Sequence, residues 1–405
     1  MKLRLFLAFF LLANCSRPAP EHPTKPNEPG ALPIDIINEQ SSLLDLSRGA
    51  TIVSRTGEMM LPVSAINTID GDIGTFWQTP PHDFPQSIVI ALGAPSRIDR
   101  IGIRSLDVGF EPKSVPFESS IDGVIWQPLA TIAPKTIELA QWFDVAPTTL
   151  SYLRVNIPAP AIAGHDVRLH SIYAHGVEIA PRVDPGIDGC WSVNGNAALF
   201  VQRGSRATGV LMRGAQPVFL EGATTGRIWR FNWIHGNDFG LTALALAPGD
   251  KHFSGIDWHE EAIPLFRALP WFGERTTCAP AVIRNDVELA LLHRANHVAL
   301  FGLQFDASGN LLTGPSREEL QSLLKIIRAA PPIDVVAHEF RQPDARRNKE
   351  IAEHEIDSVK AALAGLGADM SRLRFRAAGS GDPRQKIESE IAAAIYSSVE
   401  VEVRR

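Results

Sequence analysis

Hydrophobic and polar positions change period along this chain, and the changes divide it. From Leu43 to Ile179 apolar residues come in short runs bounded by Gly, Pro and Asp. Ser87-Ile88-Val89-Ile90-Ala91-Leu92-Gly93 and Ile98-Asp99-Arg100-Ile101-Gly102-Ile103 both predict β-strands. From Asp188 to Glu274 the runs Ala198 to Gln202, Gly209 to Met212, Gly226 to Trp233 and Leu241 to Leu246 predict an antiparallel meander curled into a small barrel or sandwich. Trp191, Trp229, Trp233, Trp258 and Trp271 crowd into this stretch, which marks it as a packed unit of its own.

Beyond Ala295 strand and helix periods alternate. Val298 to Phe305 predicts a strand, and Ser316-Arg317-Glu318-Glu319 predicts a capping box that opens a helix with Leu320, Leu323, Leu324 and Ile327 on one side. Ile333 to His338 predicts a second strand, with Ile333, Val335 and Ala337 on one face. Ala352, Ile356, Val359, Leu363 and Leu366 form the stripe of an amphipathic helix, and Val399 to Val403 closes the chain as an alternating strand. The order is β-α-β-α-β-α-β. The fold class is multidomain: an all-β sandwich over 41–180, an all-β meander or barrel over 186–280, and an α/β end over 295–405.

The first residues follow neither period. Met1 to Arg4 is basic, and Leu5 to Ala13 is an apolar run too short for a permanent span, which together predict a signal peptide. Leu12-Ala13-Asn14-Cys15 resembles the lipobox of bacterial lipoproteins, which implies that residues 1–15 form a signal ending in a lipidated Cys15. A plain secretory signal cleaved nearby is the alternative. Ser16 resembles the outer-membrane sorting pattern, implying a lipid-anchored protein of the cell outer membrane, facing the periplasm or the surface. Pro18, Pro20, Pro23, Pro26, Pro29 and Pro33 make residues 16–40 a semi-rigid tether. Its proline-bearing part, Ser16 to Pro33, reaches at most roughly 55 Å at about 3.1 Å per residue.

Composition narrows the function classes. A net charge of −6, with acids and bases spread along 405 residues, indicates neither a nucleic-acid face nor a basic membrane patch. If Cys15 carries lipid, Cys190 and Cys278 remain as a pair in an oxidising compartment, which predicts a disulfide; two free buried thiols are the alternative.

Within the first β-rich span, three runs stand out: Ala65 to Thr79 with Asp70-Gly71-Asp72, Ser120-Ile121-Asp122-Gly123-Val124-Ile125-Trp126, and Tyr152-Leu153-Arg154-Val155. In order and spacing they resemble the discoidin, or coagulation-factor type C, module. The resemblance implies a jelly-roll β-sandwich, akin to many carbohydrate-binding modules, whose ligand contacts come from loops at one end. His82, Asp83, Phe84, Phe110 and His165 are loop-borne here. Asp70, Asp72 and Thr75 offer the hard oxygens that calcium prefers, and the resemblance implies a structural calcium there. Ser171 stands where such modules usually supply a glutamate, and a plain hydrogen-bonded turn around Gly71 is the other reading. Trp77 and Trp126 read as core aromatics.

The α/β end, through Phe305-Asp306, Ser316, Asn348, Leu366-Gly367, Arg372-Leu373, Gly379, Gly381 and Val399-Glu400-Val401, resembles the OmpA-like C-terminal domain of envelope proteins. That family grips the diaminopimelate of peptidoglycan with an aspartate and an arginine. With Asn348 as anchor, the two positions fall on Phe340 and Glu355, so the ligand pair is replaced. Tyr396-Ser397-Ser398 likewise stands where the family has an Asn-Arg-Arg run. A repaired site would pair Glu355 with a ligand amine and take its cation from Arg341, Arg346 or Arg347.

Asp257-Trp258-His259-Glu260-Glu261 is the one catalytic-looking phrase, and it reads as a solvated turn rather than a metal site, because adjacent strand residues point apart. His338 and His354 read as surface histidines. With no Gly-x-Ser-x-Gly and no His-Glu-x-x-His, the expectation is a non-catalytic protein. Its expected partners are a glycan or peptidoglycan, or another envelope protein; no cofactor beyond calcium is implied.

Overall fold

The structure is a computed structural model that describes residues 42–404 apart from 138, 181–185, 226–227, 260–267, 279–280 and 382–389. The signal peptide, Cys15 and the 16–40 tether lie outside the described residues, as do Glu260 and Glu261. No helix among the described residues is long and apolar enough to cross a membrane.

Short apolar runs broken by turn residues build the first unit, a jelly-roll sandwich of eight strands. They are β1 (Thr51–Arg55), β2 (Trp77–Gln78), β3 (Gln86–Arg104), β4 (Val115–Ser120), β5 (Gln127–Ile132), β6 (Gln141–Ile157), β7 (Arg168–Leu169) and β8 (Ser171–Glu178). The main sheet runs β1-β3-β6-β4-β5 with β8 also on β3, and β2 pairs β7 separately. The two strands expected at 87–93 and 98–103 are halves of the one strand β3. Register shifts after Ala91 and Ile98 let its first half pair with β1 and its second with β8. Ile88, Ile90, Ile101, Ile103, Leu153, Val155 and Trp77 fill the core. Trp126 is only half-buried, under the Arg154 guanidinium 4.4 Å from its ring.

The middle unit is a closed barrel. Its strands are β9 (Gly189–Val193), β10 (Asn196–Arg203), β11 (Arg206–Arg213), β12 (Gln216–Thr225), β13 (Ile228–His235), β14 (Asp238–Leu246), β15 (His252–His259) and β16 (Ala268–Arg275). Each is antiparallel to the next, and β16 closes on β9. The β9–β10 turn, Asn194-Gly195, has positive φ at both residues, 47° and 81°, matching the twist of a tight hairpin. Alternate residues point inward, so Trp191, Phe200, Leu220, Phe231, Trp233, Phe253 and Trp271 fill the interior. The closing seam has three register pairs, Gly273 with Val193, Glu274 with Ser192 and Arg275 with Trp191. The disulfide between Cys190 and Cys278 sits beside that seam.

The third unit contains α1 (Val287–Ala295), β17 (His297–Ala299), α2 (Arg317–Ala329), β18 (Ile333–His338), α3 (Ala345–Gly365), β19 (Leu373–Gly379), α4 (Glu390–Tyr396) and β20 (Ser398–Val403). The sheet order is β17-β20-β18-β19, with β18 parallel to β19 and antiparallel to β20. Leu320, Leu323, Leu324 and Ile327 of α2 and Ala352, Ile356, Val359 and Leu363 of α3 pack with Ile333, Val335, Ala337, Val399 and Val401. Helix α1 had no counterpart in the sequence pattern.

Four local expectations are corrected. The strand expected from Val298 to Phe305 is confined to β17, after which the chain turns. The capping box does not form: Ser316 has helical φ and ψ, and its hydroxyl accepts from Gln304 N–H at 2.8 Å instead of capping α2. Leu366 is the C-cap of α3 and is 44% exposed rather than buried in the stripe. His338 is buried, not a surface residue, because the sheet face it shares with Glu400 is turned away from solvent; His354 is exposed as expected.

The units share packing. Thr51 donates to Ala245 O at 3.0 Å, Ile52 N–H donates to Ser254 Oγ at 2.8 Å, and the Arg55 guanidinium lies 3.5 Å from the Phe272 ring centroid. A continuous apolar cluster runs from Leu44 and Ile52 of the sandwich through Ala243, Ile256 and Phe272 of the barrel to Phe301 and Ile395.

Candidate functional site

Three loops meet at one end of the sandwich: 79–85 before β3, 105–114 after it, and 158–167 before β7. Backbone bonds hold them, Thr79 N–H to Val167 O at 3.0 Å, Arg168 N–H to Phe110 O at 2.8 Å and Ala161 N–H to Glu111 O at 2.9 Å. At the centre is Arg168, whose guanidinium carbon lies 4.0 Å from the Phe110 centroid and 5.4 Å from that of Phe76. Its Nη1 reaches Asp107 Oδ2 at 3.2 Å and its Nε lies 3.5 Å from Asp166 Oδ2, which also accepts from Gln78 Nε2 at 2.6 Å. The His165 ring is 5.6 Å from that of Phe110, and its Nδ1 is 3.0 Å from Gly109 O. His82 stands over Gly164, where a Cβ would come within 3.2 Å of its Cε1, so the close approach of the two loops suits glycine. Exposed Val108 and Ile162 flank the cluster. Behind it, burial lowers the pKa of His170, whose Nδ1 accepts from Leu106 N–H at 3.3 Å.

An aromatic face, a forked guanidinium, two carboxylates and imidazoles converging on one loop end can stack on the apolar side of a ring. They can also exchange hydrogen bonds with its hydroxyls. Of the loop residues expected from sequence, His82, Phe110 and His165 meet here. Phe84 packs against the core, and Asp83 contributes its carbonyl to Gln86. Sequence reasoning missed Arg168, Asp107, Asp166, Gln78 and Phe76. A signal existed for two of them: Asp166 and Arg168 are two apart on an extended segment and so share a face.

The Asp70 loop closes on itself. Asp70 Oδ1 accepts from Asp72 N–H at 2.9 Å, Thr75 Oγ1 lies 2.8 Å from Asp70 Oδ2, and the same hydroxyl lies 3.0 Å from Asp72 O. Asp72 O also accepts from Thr75 N–H at 3.4 Å, so backbone and hydroxyl donors both serve the turn. Burial holds the Asp70 carboxyl well above the usual carboxylate range, against hydrogen bonds from Asp72 and Thr75 and with the charges of Asp72 and Asp45 adding to the rise. The oxygens of Asp70, Thr75 and Asp72 fit a calcium ion in donor type and would supply only part of its shell.

In the third unit Phe340 is half-buried and stacks on His338 with 8° between ring planes. Asn348 is a structural clamp: its Oδ1 accepts from Gln342 N–H at 3.0 Å and its Nδ2 donates to Gln342 O at 2.8 Å. Glu355 is buried, 3.7 Å from Arg341, and Arg341 forks onto Glu339. Arg346 and Arg347 turn away to Glu350, at 3.7 and 3.3 Å. From the barrel, buried Arg230 adds its charge to Glu339 and Glu355, with burial lowering its own pKa to about 10. Burial and then Glu339 push Glu355 up to about 8, against Arg341 and Arg230. The Glu355 carboxyl and the Arg341 guanidinium of the repaired site are thus both present, but the guanidinium is taken up by Glu339.

Two further clusters carry metal-ligating types. His338, Glu400 and Glu402 bring their ligating atoms within 4.8 Å of one another, and Glu402 also engages Arg376 at 3.4 Å. The phrase from Asp257 to His259 is the end of strand β15 and not a solvated turn: Asp257 is fully buried and His259 nearly so. Asp257 Oδ2 takes Arg213 Nη2 at 2.8 Å and His259 Nε2 at 3.0 Å, the Asp257 and His259 side chains sharing one face because they are two residues apart on the strand.

Compared with known proteins, residues 51–168 match the F5/8 type C domain family. Among solved structures, the C-terminal domain of a chitobiase from Bacteroides fragilis is 24% identical, over 33% of this chain and 96% of that one, with a TM-score of 0.30. A family 32 carbohydrate-binding module from Clostridium perfringens, crystallised with galactose, is 18% identical over 33% of this chain and 97% of that one, with a TM-score of 0.29. A module of the same family from a Clostridium perfringens glycoside hydrolase is 16% identical over 34% of this chain and 96% of that one, with a TM-score of 0.31. No curated protein sequence matches the chain.

Proposed function

We propose that the chain is a non-catalytic, lipid-anchored protein of the bacterial outer membrane that binds a glycan through the loop end of its F5/8 type C sandwich. The observation that carries this reading is the Arg168 cluster, which sets Phe110, His165, Asp107 and Asp166 around one guanidinium on the loops of a module of that family. The Leu12 to Cys15 motif and the proline tether support anchoring at a distance from the membrane. The third unit is assigned an OmpA-like scaffold that no longer holds diaminopimelate, since Arg341 is paired with Glu339 and faces Glu355.

The test is a glycan array probed with the full chain lacking its signal, alongside sedimentation with isolated peptidoglycan. Binding to a defined sugar class that Phe110→Ala removes is expected. Silence on the array overturns the assignment of the contact to the sandwich, and sedimentation that diaminopimelate competes away overturns the reading that the third unit no longer holds that ligand. Membrane anchoring is read separately, by fatty-acid labelling that Cys15→Ser abolishes.

A further inference from the structure

Arg206 on barrel strand β11 is buried among three carboxylates from three other elements: Glu221 of β12, Glu288 of α1 and Glu319 of α2. Its Nη2 donates to Glu221 at 2.8 Å and to Glu288 at 3.3 Å, and its Nη1 donates to Glu319. The other contacts are neutral donors. Glu221 Oε2 accepts from Val287 and Glu288 N–H at 3.0 and 3.3 Å, Glu288 Oε2 accepts from Ser322 Oγ at 2.8 Å, and Glu319 Oε2 accepts from Gly302 N–H at 2.9 Å. These four are the charged groups that face one another here, and with every acid ionised they would carry two uncompensated negative charges in a dry interface.

Two observations say that they are not all ionised. Glu288 and Glu319 are both buried and both end on the one Arg206 guanidinium that Glu221 already occupies, so a single positive charge faces three carboxyls held together out of water. Glu319 Oε1 is also fully buried and receives no N–H or O–H from any described residue. We propose that Glu288 of α1 and Glu319 of α2 share one proton, which relieves the excess negative charge gathered on the barrel's Arg206 and beside its Glu221, so that the interface between the barrel and the C-terminal unit tightens in acid and loosens as the medium turns alkaline.

The titration has a definite sign. Burial, then the Glu319 charge, raises Glu288 from 4.5 to about 8, and burial, then Glu288, raises Glu221 to about 7. An acid whose folded pKa is raised adds stability at low pH, and loses it between its unfolded and folded values, here from about 4.5 to about 8.

Amide hydrogen exchange of the full chain at pH 6 and pH 8.5, corrected for base catalysis, reads the interface directly. Protection of Val287 and Gly302, whose amides end on these carboxylates, is expected to fall at least tenfold between the two conditions, while Ile90 and Val155 in the sandwich hold theirs. Glu319→Gln replaces the shared proton with an amide N–H and should keep protection at pH 8.5 as high as at pH 6. Glu288→Gln is the second variant if the first does not fold. Equal wild-type protection at the two pH values, or an alkaline fall in Glu319→Gln as large as in wild type, overturns the proposal. If neither variant folds, the wild-type comparison alone decides.

Discussion

The guanidinium of Arg230, on barrel strand β13, donates to the backbone carbonyl of Ser397 at 3.1 Å, at the junction of α4 and β20. The same nitrogen reaches Ala394 O at 2.9 Å, and the charge sits beside Glu339 and Glu355. A barrel side chain therefore neutralises acids of a different unit. Arg230→Ala should destabilise the protein by about 3–5 kcal/mol, because the Ala394 and Ser397 carbonyls lose a buried charged donor and Glu339 loses part of its counter-charge. Denaturant unfolding of the full chain checks this, and a loss under 1 kcal/mol would show that Arg341 balances the site without help.

The disulfide lies where the barrel is least secured by strand pairing. Reduction, or Cys190→Ser with Cys278→Ser, should cost about 2–5 kcal/mol, since a bridge across 88 residues restricts the unfolded chain most strongly. Thiol titration of denatured protein with and without reductant establishes the bond, and thermal melts of the reduced protein measure its contribution.

Calcium is expected to stabilise the sandwich through Asp70. With chelator present, the raised Asp70 carboxyl gives stability at low pH that is lost as pH rises from its ordinary 3.8 through its folded value. Added calcium should cancel that loss and raise the melting temperature at neutral pH, and Asp70→Asn should remove the response. Identical melting curves in calcium and in chelator would leave the loop as a hydrogen-bonded turn.

At the loop end, Phe110→Ala should cost about 2 kcal/mol of glycan binding, the usual loss for a central aromatic anchor. Arg168→Lys keeps the charge but loses the fork that spans Asp107 and Asp166, and should weaken binding nearly as much while leaving the melting temperature close to wild type. Isothermal titration with the sugar found on the array measures both.

The β-character of the first two units and the paired helices of the third were legible from period alone, since a strand or helix must show its apolar face to something. Ile333 to His338 is a strand over the residues its alternation marks out, and Ala352, Ile356, Val359 and Leu363 are buried as their spacing requires. Where a residue's role depended on a remote partner, sequence reasoning failed. Ser316 looked like a cap but serves Gln304, Glu319 looked like a capping-box acid but is buried against Arg206, and Asp257 looked solvated but lies wholly inside the barrel unit.

The loop site divides the same way. Phe110, His165 and His82 were visible as loop residues, but Arg168 organises them, and its partners come from positions as distant as Phe76 and Asp107. What the chain by itself determined was local: its strand and helix periods, its turn residues, the module resemblance within 41–180 and the single pair of cysteines left to bridge. What tertiary structure alone decided was charge. A buried ion is stable only beside its counter-charge, and Arg206 with Glu288 and Glu319, or Arg230 with Glu339 and Glu355, become neighbours only once the barrel has closed and the C-terminal sheet has docked on it.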